Sequence, residues 1–235
     1  MTTPVLYAHP FSSYSQKVLI AFFEKRAPFE LRLLVPDNPT AGTELRTLWP
    51  LERFPVLHVE GRTLVESSVI IEWLDLRHPT GARLIPTDPD LALEVRMLDR
   101  IFDNYVMMPM MTIVSDRLRP EAVHDAHGVG LAHALLDRAC GWLDERMASR
   151  EWAVGESFSL ADCAAAPALF YADWVHPIGR YSALSAYLQR FRERPSFRRC
   201  VEDARPYRHL FPGGAPPDRD RSAHTRSPAN QGTNQ

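Results

Sequence analysis

Two stretches of the chain hold residues whose types and spacing suit them to hold an anion and a free amine. Residues 7–18, YAHPFSSYSQKV, run from a short extended segment into an amphipathic one. The first backbone N–H groups of a helix lack internal acceptors and its dipole is positive there, so an oxyanion or thiolate is stabilised beside that turn. Ser12, Ser13 and Ser15 add hydroxyl donors at that point or, in the plainer reading, cap the helix. The second stretch is RFPVLHV at 53–59, followed by GRTLVESSVI. Pro55 interrupts the donor pattern just before a strand, which leaves neighbouring backbone open to an extended peptide, and a cis Phe54–Pro55 bond would turn it sharply. The sequence leaves that isomer open. At Glu66 and Ser67 a carboxylate can receive an amine, and a hydroxyl with helical N–H groups can receive a carboxylate; a capped strand-to-helix corner is the alternative.

These residues need a scaffold, and the pattern around them supplies one. An extended run at 5–7, a helix over 15–25 and a strand over 29–35 form a strand–helix–strand unit. A short helix at 43–48, strands at 56–59 and 63–65 around a turn containing Gly61, and a helix over 68–76 capped by Ser67 complete a mixed sheet covered by helices. Beyond Pro79, Pro86 and Pro89 the period lengthens. Leu91, Val95, Leu98, Phe102 and Tyr105 share one helical face, and Leu131, Leu135 and Trp142 another. Helices over 160–171, 183–192 and 197–203 follow, the first bent or interrupted by Pro167, and together they predict an all-helical domain. The domain reading is 1–78, a linker at 79–89, a helical domain at 90–211 and a flexible tail at 212–235, which has no large apolar residue to bury.

Composition excludes several other classes. The 27 basic and 29 acidic side chains give a net charge of -2, which argues against a broad cationic surface for nucleic acid. No apolar run is long enough to span a membrane, no secretion signal opens the chain, and a cytoplasmic protein is expected. Cys140, Cys163 and Cys200 are too scattered for a disulfide scaffold or a clustered zinc site; His124 and His127 find no companion ligands, so no metal is expected. A hydrolytic triad of Ser12, His9 and Asp162 lacks a Gly-x-Ser-x-Gly elbow. Ser159 and Asp162, in SLAD, read instead as a reciprocal helix cap.

Taken in order, YAHPFSSYSQKV, RFPVLHVEGRTLVESSVIIEWL and GESFSLADCAAAP resemble the glutathione S-transferase superfamily, over residues 4–210. The resemblance implies an α/β thioredoxin-like N-terminal domain, an all-α C-terminal domain, glutathione as cosubstrate and a homodimer. It gives Ser12 the thiol-activating position of the serine-type branches, here as SSYS, with Tyr7, catalytic in other branches, as the alternative. Arg53 matches the position facing the glycyl carboxylate, Val56 the backbone partner of the cysteinyl portion, and Glu66 and Ser67 the γ-glutamyl site. The usual Asn-Pro-x-Gly-Lys-Val-Pro appears as Trp49-Pro50-Leu51-Glu52-Arg53-Phe54-Pro55, without the Asn and Gly.

The helical half then supplies a wall for a small hydrophobic electrophile from Asp103, Asn104, Tyr105, Met107, Met108 and Met111, near the disruption expected at Pro109. The methionines equally suit irregular core packing. A peroxidase, an isomerase, or a non-catalytic ligand-binding or interaction protein on the same fold are the other readings.

Overall fold

The computed structural model describes residues 2–79, 81 and 83–218. β1 (Val5–Ala8) leads into α1 (Ser13–Lys25), and the chain returns in β2 (Glu30–Leu33), parallel to β1. After α2 (Pro39–Leu48), β3 (Val56–Val59) runs antiparallel to β1, turns through Glu60 and Gly61 into β4 (Arg62–Leu64), and α3 (Ser67–Arg77) follows. The sheet order is β2-β1-β3-β4. Glu60 and Gly61 have φ of 51° and 72°, a left-handed pair that a tight hairpin requires and that glycine adopts freely.

Alternation along the strands sorts the layers. Leu6, Ala8, Leu57 and Val59 face a core shared with Val18, Phe22, Ile70 and Leu74 of α1 and α3, whereas Tyr7 and Val56 face the opposite side and pack on Leu45 of α2. The result is the expected thioredoxin-like domain, followed by an all-helical one.

The second domain consists of α4 (Pro89–Ile101), a π-helical segment (Phe102–Met107), α5 (Met108–Asp116), α6 (Ala126–Met147), α7 (Leu160–Ala172), α8 (Ser182–Glu193), α9 (Pro195–Ala204) and a closing 3-10 turn (Arg205–Leu210). All of α7 is buried, and it packs on α1 and α4. Of the two effects expected of Pro167, interruption does not occur; apolar neighbours on every side hold the helix despite the missing N–H. Asp162 accepts bonds from Ser159 N at 2.8 Å, Ser159 Oγ at 2.8 Å and Ala153 N at 2.9 Å, and the reciprocal cap forms.

Two apolar stripes differ from the sequence reading. Leu131 and Trp142 are exposed, and α6 buries Ala132, Leu136, Ala139, Cys140, Leu143 and Met147 instead, because small residues let neighbouring helices approach closely. Tyr105 is also exposed: the π-turn inserts a residue into the repeat and rotates Val106 and Met107 into the core in its place.

The segment after the 3-10 turn lies against the domain. Phe211 is buried, Arg117 donates to the Pro212 carbonyl at 3.1 Å, and Ala215 packs on the core. The remainder of the expected tail, 219–235, falls outside the described residues. No helix among the described residues is long and apolar enough to cross a membrane.

Candidate active site

Strand register decides which loops meet. Tyr7 lies opposite Val56, and Leu57 opposite Leu64, so the end of β1, the start of β3 and the end of β4 share one end of the sheet. Ser12, Arg53, Val56, Glu66 and Ser67 belong to the connections at that end. Lys17 Nζ of α1 donates to Ser68 Oγ of α3 at 3.0 Å, which sets the two helix N-termini side by side.

At the first of these, Ser12 is extended, with φ -85° and ψ 125°, and its Oγ accepts from Ser15 N at 3.3 Å. Capping and donation do not compete: an oxygen that accepts the N–H keeps its own proton for an outside acceptor. Ser13 is the buried first residue of α1, and Ser15 Oγ accepts from His9 N at 3.3 Å. At the second terminus the helix begins one residue earlier than the sequence reading has it. Ser67 is its first residue and is buried, while Glu66 occupies the cap position with φ 70° and makes no capping bond through its side chain. That conformation leaves the carboxylate exposed at the site edge. The Phe54–Pro55 bond is cis, and Arg53 is exposed beside it.

Beneath this edge lies a charge cluster that joins the domains. Lys17 pairs with Asp99 Oδ1 at 2.5 Å and Asp103 Oδ2 at 2.7 Å; Arg100 reaches Asp99 Oδ2 and Asp103 Oδ2, each at 2.7 Å. Ser68 Oγ donates to Asp99 Oδ2 at 2.7 Å. Two cations thus balance two carboxylates. Burial raises the Asp103 pKa, with Lys17 opposing it. Above the cluster the Tyr14 phenol is pushed up to about 12, first by burial and then by the Asp103 charge.

The N-terminal domain model of the glutathione S-transferases matches residues 11–77, and the C-terminal domain model matches residues 116–190. A crystal structure of a glutathione S-transferase from Methylobacterium radiotolerans, in complex with glutathione sulfonate, shares 31% identity. It superposes with a TM-score of 0.75 over 85% of this chain and 95% of its own. The chain belongs to the glutathione S-transferase superfamily. Two curated relatives of this glutathione S-transferase homologue carry different functional names. Probable maleylacetoacetate isomerase 2 of Drosophila melanogaster is 26% identical over 74% of this chain and 76% of its own length. FtsZ-localized protein A of Caulobacter vibrioides is 28% identical over 90% and 93%.

The remaining residues singled out from the sequence of this superfamily member are dispersed. Tyr7 points to the α2 side of the sheet, where its hydroxyl donates to Glu44 Oε2 at 3.0 Å; burial, followed by Glu44, raises its pKa. Met107 is a core residue, 2% exposed, and so is corrected from its assignment to the substrate wall, because the π-turn aims it inward. Asp103 is likewise corrected, since its carboxylate is buried against Lys17 and Arg100. Asn104, Tyr105, Met108 and Met111 are exposed.

The sequence reading missed Lys17, Ser68, Asp99 and Arg100 as a unit. Its one local signal is a lysine set among apolar residues in KVLIAFF. Among the described residues no group of three or more His, Cys, Asp or Glu side chains is arranged for a metal ion.

Proposed function

We propose that this glutathione transferase-like enzyme binds glutathione along the edge formed by Arg53, Val56, Glu66 and Ser67. In this reading Ser12 stabilises the sulfur as a thiolate for attack on a small hydrophobic electrophile. The relative bound to glutathione sulfonate supports the tripeptide as cosubstrate. The observation that carries the choice of Ser12 is its bond from Ser15 N, which fixes the oxygen at the α1 N-terminus while leaving the hydroxyl proton to donate. Tyr7 donates to Glu44 instead, and its phenol is shifted away from ionisation.

The chemistry then follows from elementary electrostatics. A free cysteine thiol titrates near about 8.5, and a hydroxyl donor beside a helix N-terminus lowers that value by favouring the anion. Ser12 keeps its proton throughout; the sulfur is the nucleophile. Glu66 receives the γ-glutamyl amine, Ser67 with the first N–H groups of α3 receives its carboxylate, and Arg53 approaches the glycyl carboxylate. Held at both ends, the tripeptide presents its sulfur in one orientation. Asn104, Tyr105, Met108 and Met111 form the wall for the second substrate, with the thioethers adapting to its shape.

Ultraviolet titration of bound thiolate, paired with glutathione calorimetry, tests these roles. Ser12→Ala raises the thiol pKa and slows turnover at neutral pH while binding persists; Ser67→Ala weakens binding by about 1–3 kcal/mol. Tyr7→Phe leaves the thiolate in place. A wild type that binds no glutathione rejects the assignment, and normal thiolate formation in Ser12→Ala rejects the role of Ser12.

The likeness to a probable maleylacetoacetate isomerase favours a second reading, in which the thiolate adds to a conjugated alkene, the weakened double bond rotates, and elimination returns the thiolate. Glutathione is consumed in transfer and regenerated in isomerisation, so its stoichiometry separates the two. Saturable binding without turnover of any electrophile or alkene would instead mark a ligand-binding or interaction role, as the likeness to a protein named for FtsZ localisation suggests.

The same proposal includes a homodimer. Val69 and Leu76 on α3 and Leu93 and Met97 on α4 are exposed large apolar side chains, and Arg96 Nε to Glu72 Oε1 at 2.8 Å ties the two helix faces together. A second copy of the chain is the partner that covers this face.

A further inference from the structure

The loop between β1 and α1 is held at its backbone, group by group. His9 N donates to Ser15 Oγ at 3.3 Å, Ser12 N donates to His9 O at 3.0 Å, and Gln16 Nε2 donates to Pro10 O at 2.8 Å. Phe11 N finds its acceptor in a side chain, the His9 Nδ1 nitrogen at 3.1 Å. Three of these four bonds involve His9.

The Phe11 bond fixes the chemistry of the imidazole. A backbone N–H only donates, so Nδ1 must present a lone pair and the ring proton must sit on Nε2. Protonation of Nδ1 would turn the acceptor into a donor and leave two N–H groups pointing at each other across 3.1 Å.

The surroundings favour the neutral ring. Tyr207, from the 3-10 turn of the helical domain, lies edge-on with ring centroids 4.5 Å apart, and α1 meets this loop through the uncharged Ser15 hydroxyl and Gln16 amide. Burial is the one cause that lowers the His9 pKa; no charged side chain contributes.

We propose that neutral His9 is a positioning residue for Ser12, holding the Phe11 amide and thereby the turn that aims the Ser12 hydroxyl, and that protonation of His9 releases this turn. The consequence for Ser12 chemistry rests on the function proposed above; the clamp itself does not. Because the folded-state pKa lies below the ordinary 6.5, the clamp is complete above that value and is lost as pH falls through the lowered one. Acid therefore acts on the thiolate site through this loop.

Amide resonances and hydrogen exchange of Phe11 and Ser12, followed in the full chain between roughly pH 4.5 and 8, read the clamp without any ligand. In wild type both amides titrate together with the His9 ring, and Phe11 exchange, corrected for its intrinsic pH dependence, rises about five- to tenfold across the transition. His9→Asn keeps an acceptor oxygen at the place of Nδ1 and has no proton to take up, so both amides stay level across the same range. His9→Leu removes the acceptor and gives the released behaviour at every pH; if it does not fold, wild type against His9→Asn still decides. A Phe11 amide indifferent to His9 ionisation, or an amide titration that persists in His9→Asn, overturns the proposal. With glutathione present, the acid limb of the bound-thiolate absorbance carries a step that follows the amide transition in wild type, and His9→Asn loses that step and keeps only the titration of the thiol itself. Amides that titrate in a chain binding no glutathione would uphold the clamp and reject the function, so the two failures are distinguishable.

Discussion

Lys17 is 1% exposed, and its ammonium lies among Asp99, Asp103 and the Ser68 hydroxyl. A buried charge is tolerated when partners satisfy it, and removing one member leaves the others uncompensated. Lys17→Met leaves two buried carboxylates facing Arg100 alone and is expected to destabilise the fold by about 3–5 kcal/mol, measured by urea unfolding. An unchanged midpoint would show that the carboxylates find other compensation. The residue scale also shows what a sequence discloses and what it withholds. The corners at Ser12 and at Glu66 and Ser67 are legible because each is a strand-to-helix transition, where local backbone geometry already demands a donor or an acceptor. Lys17 was silent because Asp103, its partner, lies 86 residues along the chain. The same separation misassigned Asp103, which reads as a substrate contact beside Asn104 and Tyr105 and becomes an ion-pair partner once α1 packs behind it.

At the level of elements, the SLAD cap was readable since all its donors and acceptors fall within one turn. Its stabilising effect extends further, because Asp162 also accepts the Ala153 N–H and the Tyr187 hydroxyl, tying α7 to the preceding loop and to α8. Ser159→Ala removes the hydroxyl but leaves the carboxylate its other donors, so the expected loss is about 0.5–2 kcal/mol, with glutathione affinity unchanged. Denaturant unfolding paired with calorimetry checks both halves, and a large loss of affinity would move Ser159 from scaffold to site. The π-helical segment was not readable. A 3.6-residue period assumes an unbroken hydrogen-bond ladder, whereas residues 102–107 take a wider turn just ahead of Pro109, which cannot donate. The stripe read through Phe102 loses its phase there, which is why Tyr105 emerges on the surface and Met107 enters the core.

For the whole molecule, the site depends on how the two domains are braced and, in the proposed homodimer, on the second copy of the chain. α1, which carries Ser12, packs on the fully buried α7, and the Lys17 cluster ties it to α4. α3, which carries Ser67, has no such cover on the side that bears Val69 and Leu76, and its outer face continues onto Leu93 and Met97 of α4 through the Arg96–Glu72 pair. A second copy closing over these four side chains would exclude water from apolar surface and brace the helix whose first residue is proposed to receive the γ-glutamyl carboxylate. Leu93, 67% exposed, is a position on this face at which a charge is expected to oppose association. Light scattering is expected to give twice the chain mass for wild type. Leu93→Glu weakens association by about 30-fold or more, corresponding to the loss of an interface anchor of roughly 2 kcal/mol. Since Leu93 lies on α4, away from Ser12 and Ser67, any accompanying fall in glutathione affinity should be recovered by raising protein concentration until the variant reassociates. A wild type that remains monomeric at working concentrations removes the dimer from the proposal, and an affinity loss insensitive to concentration would show that α3 is perturbed directly rather than through its partner.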